Sequence, residues 1–569
     1  MTRVRPPSRW VLPELPHGSA VDVLASELHL PASVCRLLCQ RGYEEPEVAK
    51  RYLRPRLEQL HDPAVMRDID RAIDRLVRAI RGGELIMVHG DYDVDGICST
   101  TLLVRAIRTF GGRVVPFIPR RLEDGYDLSA AGVRAAVDTG AAVLITCDCG
   151  TTARDAVRSA CEAGIDVIIS DHHLPTGALP ECLAVLNPKR PGCDYPDKDL
   201  VAAGVAFKIA LALARALGER EEPLYEMLDL VALATVADVA PLRGENRVLV
   251  RYGLRRLAAT TNPGLHALIR AAGLDGKPLT AGRVGFILAP RLNAVGRLGH
   301  ALRGVELLTT DSAHDANAIA RELEELNRQR QELDRTTLHR AWELLDGVDL
   351  DETYGIVLAE EGWHAGVIGI VASRLVEQLC RPVVLIAMHD GEGKGSGRSI
   401  PAFDLHAALS DCRDLLIRFG GHRSAAGVTV RAEHVPALAQ RFDAVARERL
   451  TAADLVPEIR VDLELSLDEV TADLETLLRH FEPFGIGNPS PMLVARGVRL
   501  AAQPRSVGNG HLKLRLAGDG TELDAIGWGM GALAAELDAS APLDVAFRLE
   551  RDEWNGVQRL QARLADIRR

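Results

Sequence analysis

An abrupt change from an apolar run to a cluster of acids constrains this chain more than any other feature. The run Leu85–Val88 is followed by "HGDYDVDGICST", which places His89, Asp91, Asp93 and Asp95 close together. Carboxylates this close repel one another unless positive charge lies among them. Divalent metals bind carboxylate oxygen, and manganese also accepts imidazole. An acidic turn that caps the next helix would explain one aspartate, but not three with a histidine. The stretch therefore favours a metal site.

The region from about residue 84 to 187 alternates between short apolar runs and helix-like spacers. The runs are "LIMV", "RVVPFI", "AAVLIT", "DVIIS" and "LAVLN". This alternation predicts an α/β fold with a parallel sheet covered by helices. Polar clusters follow three of the runs: "HGDYDVDG", "CDCG" and "DHH". Ligands bind outside the carboxyl ends of strands in open α/β sheets, so the clusters could converge there.

These later clusters supply further metal ligands. Asp148 follows "AAVLIT", and Asp171, His172 and His173 follow "DVIIS". Asp238, in "VALATVADVAPL", either ends a helix or binds metal, because a buried carboxylate is costly without a partner. Together the clusters contain enough ligands for two divalent ions, and a shared carboxylate would hold the ions about 3.5–4 Å apart, as in-line displacement at phosphorus requires. Such ions would activate a bridging water.

The rest of the chain predicts further domains, since 569 residues exceed one core. A long uninterrupted helix is predicted at 312–346, with an apolar stripe of Ile319, Leu323 and Leu326. A second, smaller α/β unit follows, and then alternating strands with a hairpin at Asn555-Gly556, typical of an OB-like β-barrel. The predicted division is 1–50 for an N-terminal segment, 51–311 for the first domain, 347–455 for the second and 456–569 for the barrel.

Composition indicates the compartment more than the substrate. No apolar run is long enough to span a membrane, and no signal core follows the N-terminus. The ten cysteines form no CxxC pair, which favours a reducing cytoplasm. The net charge of −11 argues only weakly against a nucleic acid, because arginine is locally clustered.

Several residues outside the acidic clusters are candidates for binding phosphate. Arginine suits phosphate because its planar fork donates two hydrogen bonds, and glycine-rich loops let backbone amides approach an anion. Each such arginine could equally be a solvated surface charge, and "GEGKGSGRS" could be a surface turn. The candidates are Arg121 in "RRLEDGYDLS", Arg291 in "APRLNAVGR", Ser396 and Arg398 in "GSGRS", and His422 in "FGGH".

The motifs and their order resemble the DHH phosphoesterase superfamily. "HGDYDVDG", "CDCG", "DHH" and "TVADVAPL" look like its four motifs, and "GSGRS" with "FGGHRSAAG" looks like its associated C-terminal domain. "RRLEDGYDLS", "APRLNAVGR" and the trailing barrel are similar to the RecJ single-stranded-DNA exonucleases within it. The resemblance covers nearly the whole chain from about residue 50.

This resemblance implies a 5′→3′ exonuclease that degrades single-stranded DNA to 5′-mononucleotides in recombination and repair, with two Mn²⁺ or Mg²⁺ ions. One ion would take His89, Asp93 and Asp148, and the other Asp95, Asp148, His172 and Asp238. His173 would act beside the scissile phosphate, and Asp91 would orient a ligand. The implied DNA ligands are Arg121, Arg291, Asn293, Ser396, Arg398, Gly421 and His422. A single-strand-binding protein and a helicase are the expected partners of a monomeric, cytoplasmic enzyme without membrane contact.

One departure and two alternatives bear on this interpretation. The motif expected as "EDGYG" reads "EDGYD", which places Asp127 near a proposed DNA-contacting loop. Another DHH enzyme, such as a manganese pyrophosphatase or an oligoribonuclease, would share the metal ligands but not the barrel. A catalytically inactive scaffold or DNA-binding relative should have lost ligands, whereas every motif position is filled here.

Overall fold

The chain divides into two units. The computed structural model describes residues 8–14, 18–121, 123–125, 127–518, 520–554 and 557–569. The first unit comprises Glu14–Asn327 with Asp462–Arg569, and the second comprises the N-terminal strand with Arg328–Val461.

In chain order the strands are β1 Arg9–Val11, β2 Leu85–Gly90, β3 Arg113–Phe117, β4 Val143–Cys147, β5 Asp166–Ser170, β6 Ala184–Leu186, β7 Ile356–Glu361, β8 Val383–His389, β9 Glu392–Arg398, β10 Leu416–Gly421, β11 Ala425–Arg431, β12 Glu458–Arg460, β13 Leu463–Glu464, β14 Leu493–Leu500, β15 Arg505–Val507, β16 His511–Gly518, β17 Thr521–Gly527, β18 Leu543–Trp554 and β19 Val557–Arg568.

The α-helices follow the same order: α1 Gly18–Leu28, α2 Ala32–Gln40, α3 Pro46–Leu53, α4 Ile69–Gly82, α5 Val94–Thr109, α6 Ala130–Thr139, α7 Arg154–Glu162, α8 Ala202–Leu217, α9 Glu222–Glu226, α10 Leu228–Ala237, α11 Gly244–Ala258, α12 Pro263–Ala271, α13 Ala281–Arg283, α14 Ala289–Leu298, α15 Leu302–Thr309, α16 Ala313–Leu345, α17 Ile368–Leu379, α18 Leu405–Ser410, α19 Val435–Arg449 and α20 Ala472–Leu478. A π-helical turn, Val284–Leu288, joins α13 to α14.

The first unit is built on a five-stranded parallel sheet in the order β3-β2-β4-β5-β6. Successive residues of a strand face opposite sides of its sheet. Ile86 and Val88 accordingly pack in a core with α4, α5 and α8, whereas Met87 packs in another with α6 and α7. Burial on both faces explains why these strands read as continuous apolar runs, and it confirms the predicted parallel sheet.

The same unit contains a closed β-barrel near the C-terminus. Its strands run β14-β18-β19-β17-β16, and pairing of β14 with β16 closes the ring. β18 and β19 pair antiparallel as predicted for a hairpin, although the Asn555-Gly556 turn lies outside the described residues. The barrel core also takes in apolar side chains from α1, α2 and α3, including Leu24, Leu38 and Tyr52. The N-terminal helices are therefore part of the barrel's hydrophobic core.

The second unit carries a mixed five-stranded sheet in the order β10-β11-β9-β8-β7. β7 and β8 are parallel and the remaining pairs are antiparallel. One face packs against α18 and α19, and the other against α17 and the end of α16, including Ala341 and Leu345. This sheet with helices on both faces confirms the predicted smaller α/β domain.

The long helix α16 spans 33 residues, as its uninterrupted sequence predicted. Ile319 and Leu323 of the apolar stripe are buried, and Leu326 packs beside them. None of the described helices combines the length and apolarity that crossing a membrane requires.

Candidate metal centre

The acidic loop lies where β2 ends and α5 begins, at the carboxyl edge of the sheet. Asp93 caps α5, and its Oδ1 accepts hydrogen bonds from the amides of Asp95 (2.9 Å) and Gly96 (3.0 Å). Gly96 is required here because a Cβ would lie only 2.3 Å from the carbonyl oxygen of Asp91. This close approach lets the backbone turn tightly between Asp91 and the first turn of α5.

Strands β4 and β5, which follow β2 in the order of the sheet, and helix α10 bring the remaining ligands to the same edge. Asp148 follows β4 with φ of +66°, a left-handed conformation that is unfavourable for a non-glycine residue. His172 and His173 follow β5, and Asp238 ends α10. The edge of the sheet therefore collects side chains that are far apart in the sequence.

Among the residues that the structure describes, the ligand atoms form three groups, and within each group they lie within 4.8 Å of one another. Asp148 belongs to two of the groups, as does His172. The groups are Asp91, Asp93 and Asp148; Asp148, His172 and His173; and Asp95, His172 and Asp238.

His172 lies at the centre of the cluster. Its Nε2 is 3.0 Å from Asp148 Oδ1, 3.7 Å from Asp95 Oδ2 and 3.9 Å from Asp238 Oδ2. Asp95 is held in place because its two oxygens accept the amides of Ala202 and Ala203, each at 2.8 Å, at the start of α8.

Burial and mutual repulsion disfavour the ionised forms of the carboxyls in the cluster. Burial raises the pKa of the Asp91, Asp95 and Asp148 carboxyls well above the ordinary value, and neighbouring aspartates raise it further. Burial and Asp93 raise the pKa of Asp238 to about 7. Burial lowers the pKa of His172 to about 3, so this imidazole is neutral and can coordinate a cation. Carboxylates can ionise together here only if cations join them.

The donor set fits divalent metal ions. Buried atoms without a hydrogen-bond partner among the described residues include Asp91 Oδ1, Asp148 Oδ1 and His172 Nε2. A buried polar atom without a partner carries a desolvation cost that coordination of a cation would offset. Carboxylate oxygen with imidazole nitrogen is a set that Mn²⁺ accepts.

His173 is oriented differently from its neighbour. Its Nδ1 lies 2.8 Å from Asp171 Oδ1, which also accepts the backbone amide of His172. Burial alone would lower the pKa of His173, but the hydrogen bond and charge of Asp171 outweigh it and raise the pKa to about 9. His173 is therefore protonated at neutral pH.

A cavity of about 290 Å³ adjoins the carboxylates. Two arginines and an asparagine line it: Arg121 and Arg297, with Asn293 on α14. The guanidinium of Arg121 lies over the Tyr92 ring, 4.9 Å from its centroid. Positive charge and an amide beside a metal cluster suit a phosphate of the substrate.

Models of known families match three parts of the chain. Residues 85–235 match the DHH family, N-terminal domain; residues 352–448 match the DHHA1 domain; and residues 461–566 match the RecJ OB domain. The single-stranded-DNA-specific exonuclease RecJ of Bacillus subtilis (strain 168) is 37% identical over 98% of this chain and 70% of its own length. The chain belongs to the RecJ family of single-stranded-DNA-specific exonucleases.

Other RecJ proteins agree over similar lengths. The single-stranded-DNA-specific exonuclease RecJ of Escherichia coli (strain K12) is 36% identical over 95% of this chain and 96% of the relative. The crystal structure of RecJ from Thermus thermophilus in complex with Mn²⁺ superposes with a TM-score of 0.85 at 34% identity, covering 99% of this chain and 79% of that chain. These relatives agree with the three domains, DHH, DHHA1 and OB, that the family models match in this chain.

Two predicted site residues, one a metal ligand and the other an orienting residue, are placed differently from the expected RecJ arrangement. His89 is in none of the three groups; its ring lies 5.1 Å from the Phe117 ring and against Gly132 of α6. As the residue after Val88 in β2, it faces the opposite side of the sheet. Asp91, predicted only to orient a ligand, lies in a group with Asp93 and Asp148. Burial lowers the pKa of His89 to about 4, so its imidazole is neutral.

Arg291, a predicted DNA ligand of the RecJ motif, is engaged inside the protein. It is 9% exposed, its guanidinium pairs with Glu324 of α16, and it donates to the carbonyl of Ile287. It does not line the cavity beside the carboxylates, whereas Asn293 of the same helix does. A contact of Arg291 with DNA would require this pair to open, and stays a prediction.

The glycine-rich stretch of the second unit is a strand rather than a loop or surface turn, so both sequence interpretations of its backbone were wrong. It forms β9, at the centre of the mixed sheet. Its glycines face a crowded side, where a Cβ on Gly395 would lie 2.4 Å from Val428 Cγ2. The glycines therefore serve packing, and the backbone amides of this strand pair within the sheet.

The side chains on the opposite face of β9 form a separate polar patch. Arg398 donates to Ser396 Oγ (3.0 Å), and both lie against the first turn of α17, where a Cβ on Gly369 would be 2.9 Å from each. Gly421 has φ of +142° at the end of β10, and His422 is exposed beyond it. These four predicted ligands share one unit, and their contact with DNA stays a prediction.

Two residues hold the cluster together: Asp171, which the sequence had grouped with the candidate ligands, and Asn187, which it had not singled out. Besides binding His173, Asp171 accepts the Thr151 amide (3.0 Å) through Oδ2. Asn187 donates to the His173 carbonyl (2.8 Å) and to Thr151 Oγ1 (3.1 Å). The position of Asn187 directly after β6, at the same sheet edge, was the available signal.

In EDTA the protein is expected to have a lower melting temperature than in Mn²⁺. The melting temperature in EDTA is also expected to fall as the pH rises from 6.5 to about 8.5. Asp238 has a pKa of about 7 and His173 a pKa of about 9, so each binds its proton more tightly in the folded protein than in the unfolded chain. The stability that these protonated forms contribute is lost as pH rises through those values. Thermal unfolding in EDTA and in saturating Mn²⁺ would test this. Mn²⁺ should raise the melting temperature and flatten its pH dependence; a melting temperature in EDTA that climbs across this range would contradict the account.

Proposed function

We propose that this chain is a metal-dependent exonuclease that degrades single-stranded DNA from its 5′ end to 5′-mononucleotides, in recombination and repair. The observation that carries the proposal is the convergence of buried carboxylates and neutral imidazole at the carboxyl edge of the parallel sheet. The named activity of the RecJ relatives and the manganese in the solved RecJ structures support it.

Two divalent cations, Mn²⁺ or Mg²⁺, would supply Lewis-acid charge and an activated water when bound. One ion would be held by Asp93 and Asp148 with Asp91 or His89, and the other by Asp95, Asp148, His172 and Asp238. Asp148 would be the shared ligand: it lies in two of the three groups, as His172 also does, but a carboxylate can offer one oxygen to each of two ions, which a single imidazole nitrogen cannot. The carboxylates would place these ions at the edge of the cavity where a phosphodiester can enter.

His173 would act on the reacting phosphate rather than on a cation. Because its Nδ1 is engaged by Asp171, the transferable proton would sit on Nε2. A protonated imidazole can stabilise charge on a phosphoryl oxygen or donate to the leaving group. Asp171 fixes the ring and favours its protonated form, and so acts through His173.

The DNA backbone would be held by residues outside the carboxylate cluster. Arg121 and Asn293 line the adjoining cavity and would contact a phosphate near the scissile bond. Ser396, Arg398, Gly421 and His422 would bind the 5′-terminal phosphate, and the β-barrel would hold the strand further along. Arg291 would contribute by holding α14 against α16.

The wider setting follows the same proposal. The protein would act as a cytoplasmic monomer with a single-strand-binding protein and a helicase, which supply unwound strands. The proposed domain boundaries are 1–50, 51–311, 312–346, 347–455 and 456–569. An unbroken set of ligands disfavours an inactive scaffold, and the barrel disfavours a pyrophosphatase or oligoribonuclease.

The deciding experiment follows 5′-labelled single-stranded DNA with Mn²⁺ or Mg²⁺. Mononucleotides are expected as the first labelled product, with little cleavage of blunt duplex and none in EDTA. Dinucleotide and inorganic pyrophosphate serve as parallel substrates. Rapid turnover of either small substrate, with long single strands left intact, would overturn the proposal in favour of another DHH phosphoesterase.

A further inference from the structure

Asp127 adopts a conformation that requires compensation by its surroundings. Its φ is +75°, in the left-handed region that glycine tolerates and most other residues avoid. Such a conformation persists where the surrounding structure holds it, and it often marks a functional position. The contacts of its carboxylate show which part of the structure it binds.

Both oxygens of Asp127 bind the loop that follows β4. Oδ1 accepts the amide of Gly150 (2.6 Å), and Oδ2 accepts the hydroxyl of Thr152 (2.8 Å). Oδ1 also accepts the amide of Leu128 (2.8 Å), which fixes the carboxylate relative to its own backbone. The side chain thus joins the segment before α6 to the segment directly after Asp148.

The loop that Asp127 binds has little regular structure of its own. Asp148 has φ of +66° and Gly150 has φ of +105°, so the chain reverses sharply between them. On its other side, Asp171 accepts the amide of Thr151, which lies between the two residues that Asp127 binds. Carboxylates therefore pin the loop from two directions, and Asp148 lies only two residues before the first of these bonds.

We propose that in this chain Asp127, which stands where the motif is expected to carry glycine, is a positioning residue that holds the Asp148 loop in the conformation that binds metal most tightly. Asp127 is in none of the three groups of metal-ligating atoms. It therefore acts through the loop and not as a ligand. Partners that orient the ligands of a metal site commonly contribute tenfold or more to metal affinity. The inference deepens the proposed function, on which its activity measurement rests.

The test compares Asp127→Gly with Asp127→Asn in the full-length protein. Glycine removes the hydrogen bonds and accepts φ of +75° without strain, so loss of folding is not the expected outcome. Asparagine tolerates this φ, can accept the Gly150 amide, and can donate to the Thr152 hydroxyl. Asp390→Gly is the matched control, because Asp390 also has positive φ (+48°) but lies in the exposed turn between β8 and β9.

Two readouts do not require activity. Mn²⁺ titration by calorimetry should show about a tenfold weaker affinity for Asp127→Gly, with Asp127→Asn within about twofold of wild type. Hydrogen exchange over residues 147–152 should accelerate in Asp127→Gly alone. In the exonuclease assay, Asp127→Gly should need more Mn²⁺ and have a lower kcat, with the KM for single-stranded DNA little changed.

Wild-type Mn²⁺ affinity and wild-type exchange in Asp127→Gly would overturn the inference. So would an asparagine variant as impaired as the glycine variant, because its hydrogen bonds can be retained. If the wild-type protein fails to cleave single-stranded DNA, the proposed function fails, whereas the Mn²⁺ and exchange comparisons still decide the role of Asp127.

Discussion

Asp148→Asn is expected to reduce the turnover of single-stranded DNA by roughly a thousandfold. The carboxylate lies in two of the three groups of ligand atoms, so the change weakens both proposed metal positions. A metal supplies several kcal/mol of transition-state stabilisation, and each 1.36 kcal/mol corresponds to about tenfold in rate. Asparagine has nearly the same size and tolerates φ of +66°, so the loop conformation should survive.

Single-turnover cleavage at saturating Mn²⁺ measures this effect, and Mn²⁺ titration measures the accompanying loss of affinity. Asp138→Asn is the matched control, since Asp138 is exposed near the end of α6 and outside the cluster. Residual activity of Asp148→Asn within about tenfold of wild type would show that this carboxylate is not the shared ligand.

His173→Gln is expected to lower kcat by about 10²–10⁴-fold, the usual contribution of a general acid or base. The affinity for Mn²⁺ should fall less than in a variant of His172, because His173 Nδ1 lies closer to Asp171 Oδ1 (2.8 Å) than to Asp148 Oδ1 (3.8 Å). His172→Gln gives the contrast, since its Nε2 lies among Asp148, Asp95 and Asp238. A loss of Mn²⁺ affinity in His173→Gln as large as in His172→Gln would make His173 a ligand instead.

The pH profile separates the role of Asp171 from that of His173. The carboxylate of Asp171 raises the pKa of His173 to about 9, so the protonated imidazole persists below that value and is lost above it. In Asp171→Asn the alkaline fall of kcat should therefore begin at lower pH than in the wild type. An unchanged alkaline limb would show that Asp171 does not act through His173.

The sequence predicted the parallel sheet and the identity of its polar edge because both follow from local patterns. Strands buried on both faces read as apolar runs, and the residues directly after them lie at one edge. Asp148 and His172 could be assigned to that edge without knowledge of any contact, whereas Asp238, at the end of a helix, was left open between a helix end and a metal ligand. Their convergence to within 4.8 Å in groups is what the fold adds.

The finer assignment of ligands could not be predicted because it depends on where a strand ends. His89 is still within β2 and follows its alternation away from the groups, whereas Asp91 lies beyond the strand and turns towards Asp93. The pairing of Arg291 with Glu324 was equally hidden, since it joins separate helices.

Long-range packing also decided the place of the N-terminal helices and of β9. Leu24 shares a core with barrel strands more than 400 residues away, and no local pattern encodes such a contact. The glycines at 393, 395 and 397 alternate with period two, which was a strand signal. Their abundance favoured a loop instead, although each faces a neighbouring side chain that leaves no room for a Cβ.

Anomalous scattering at the manganese edge from crystals grown with Mn²⁺ tests the central claim most directly. Two peaks about 3.5–4 Å apart are predicted, with Asp148 bound to both, as in two-metal phosphoryl-transfer sites. One peak should contact Asp93, and the other should contact His172 and Asp238. A single peak, or two peaks of which only one touches Asp148, would contradict the two-metal account of this cluster.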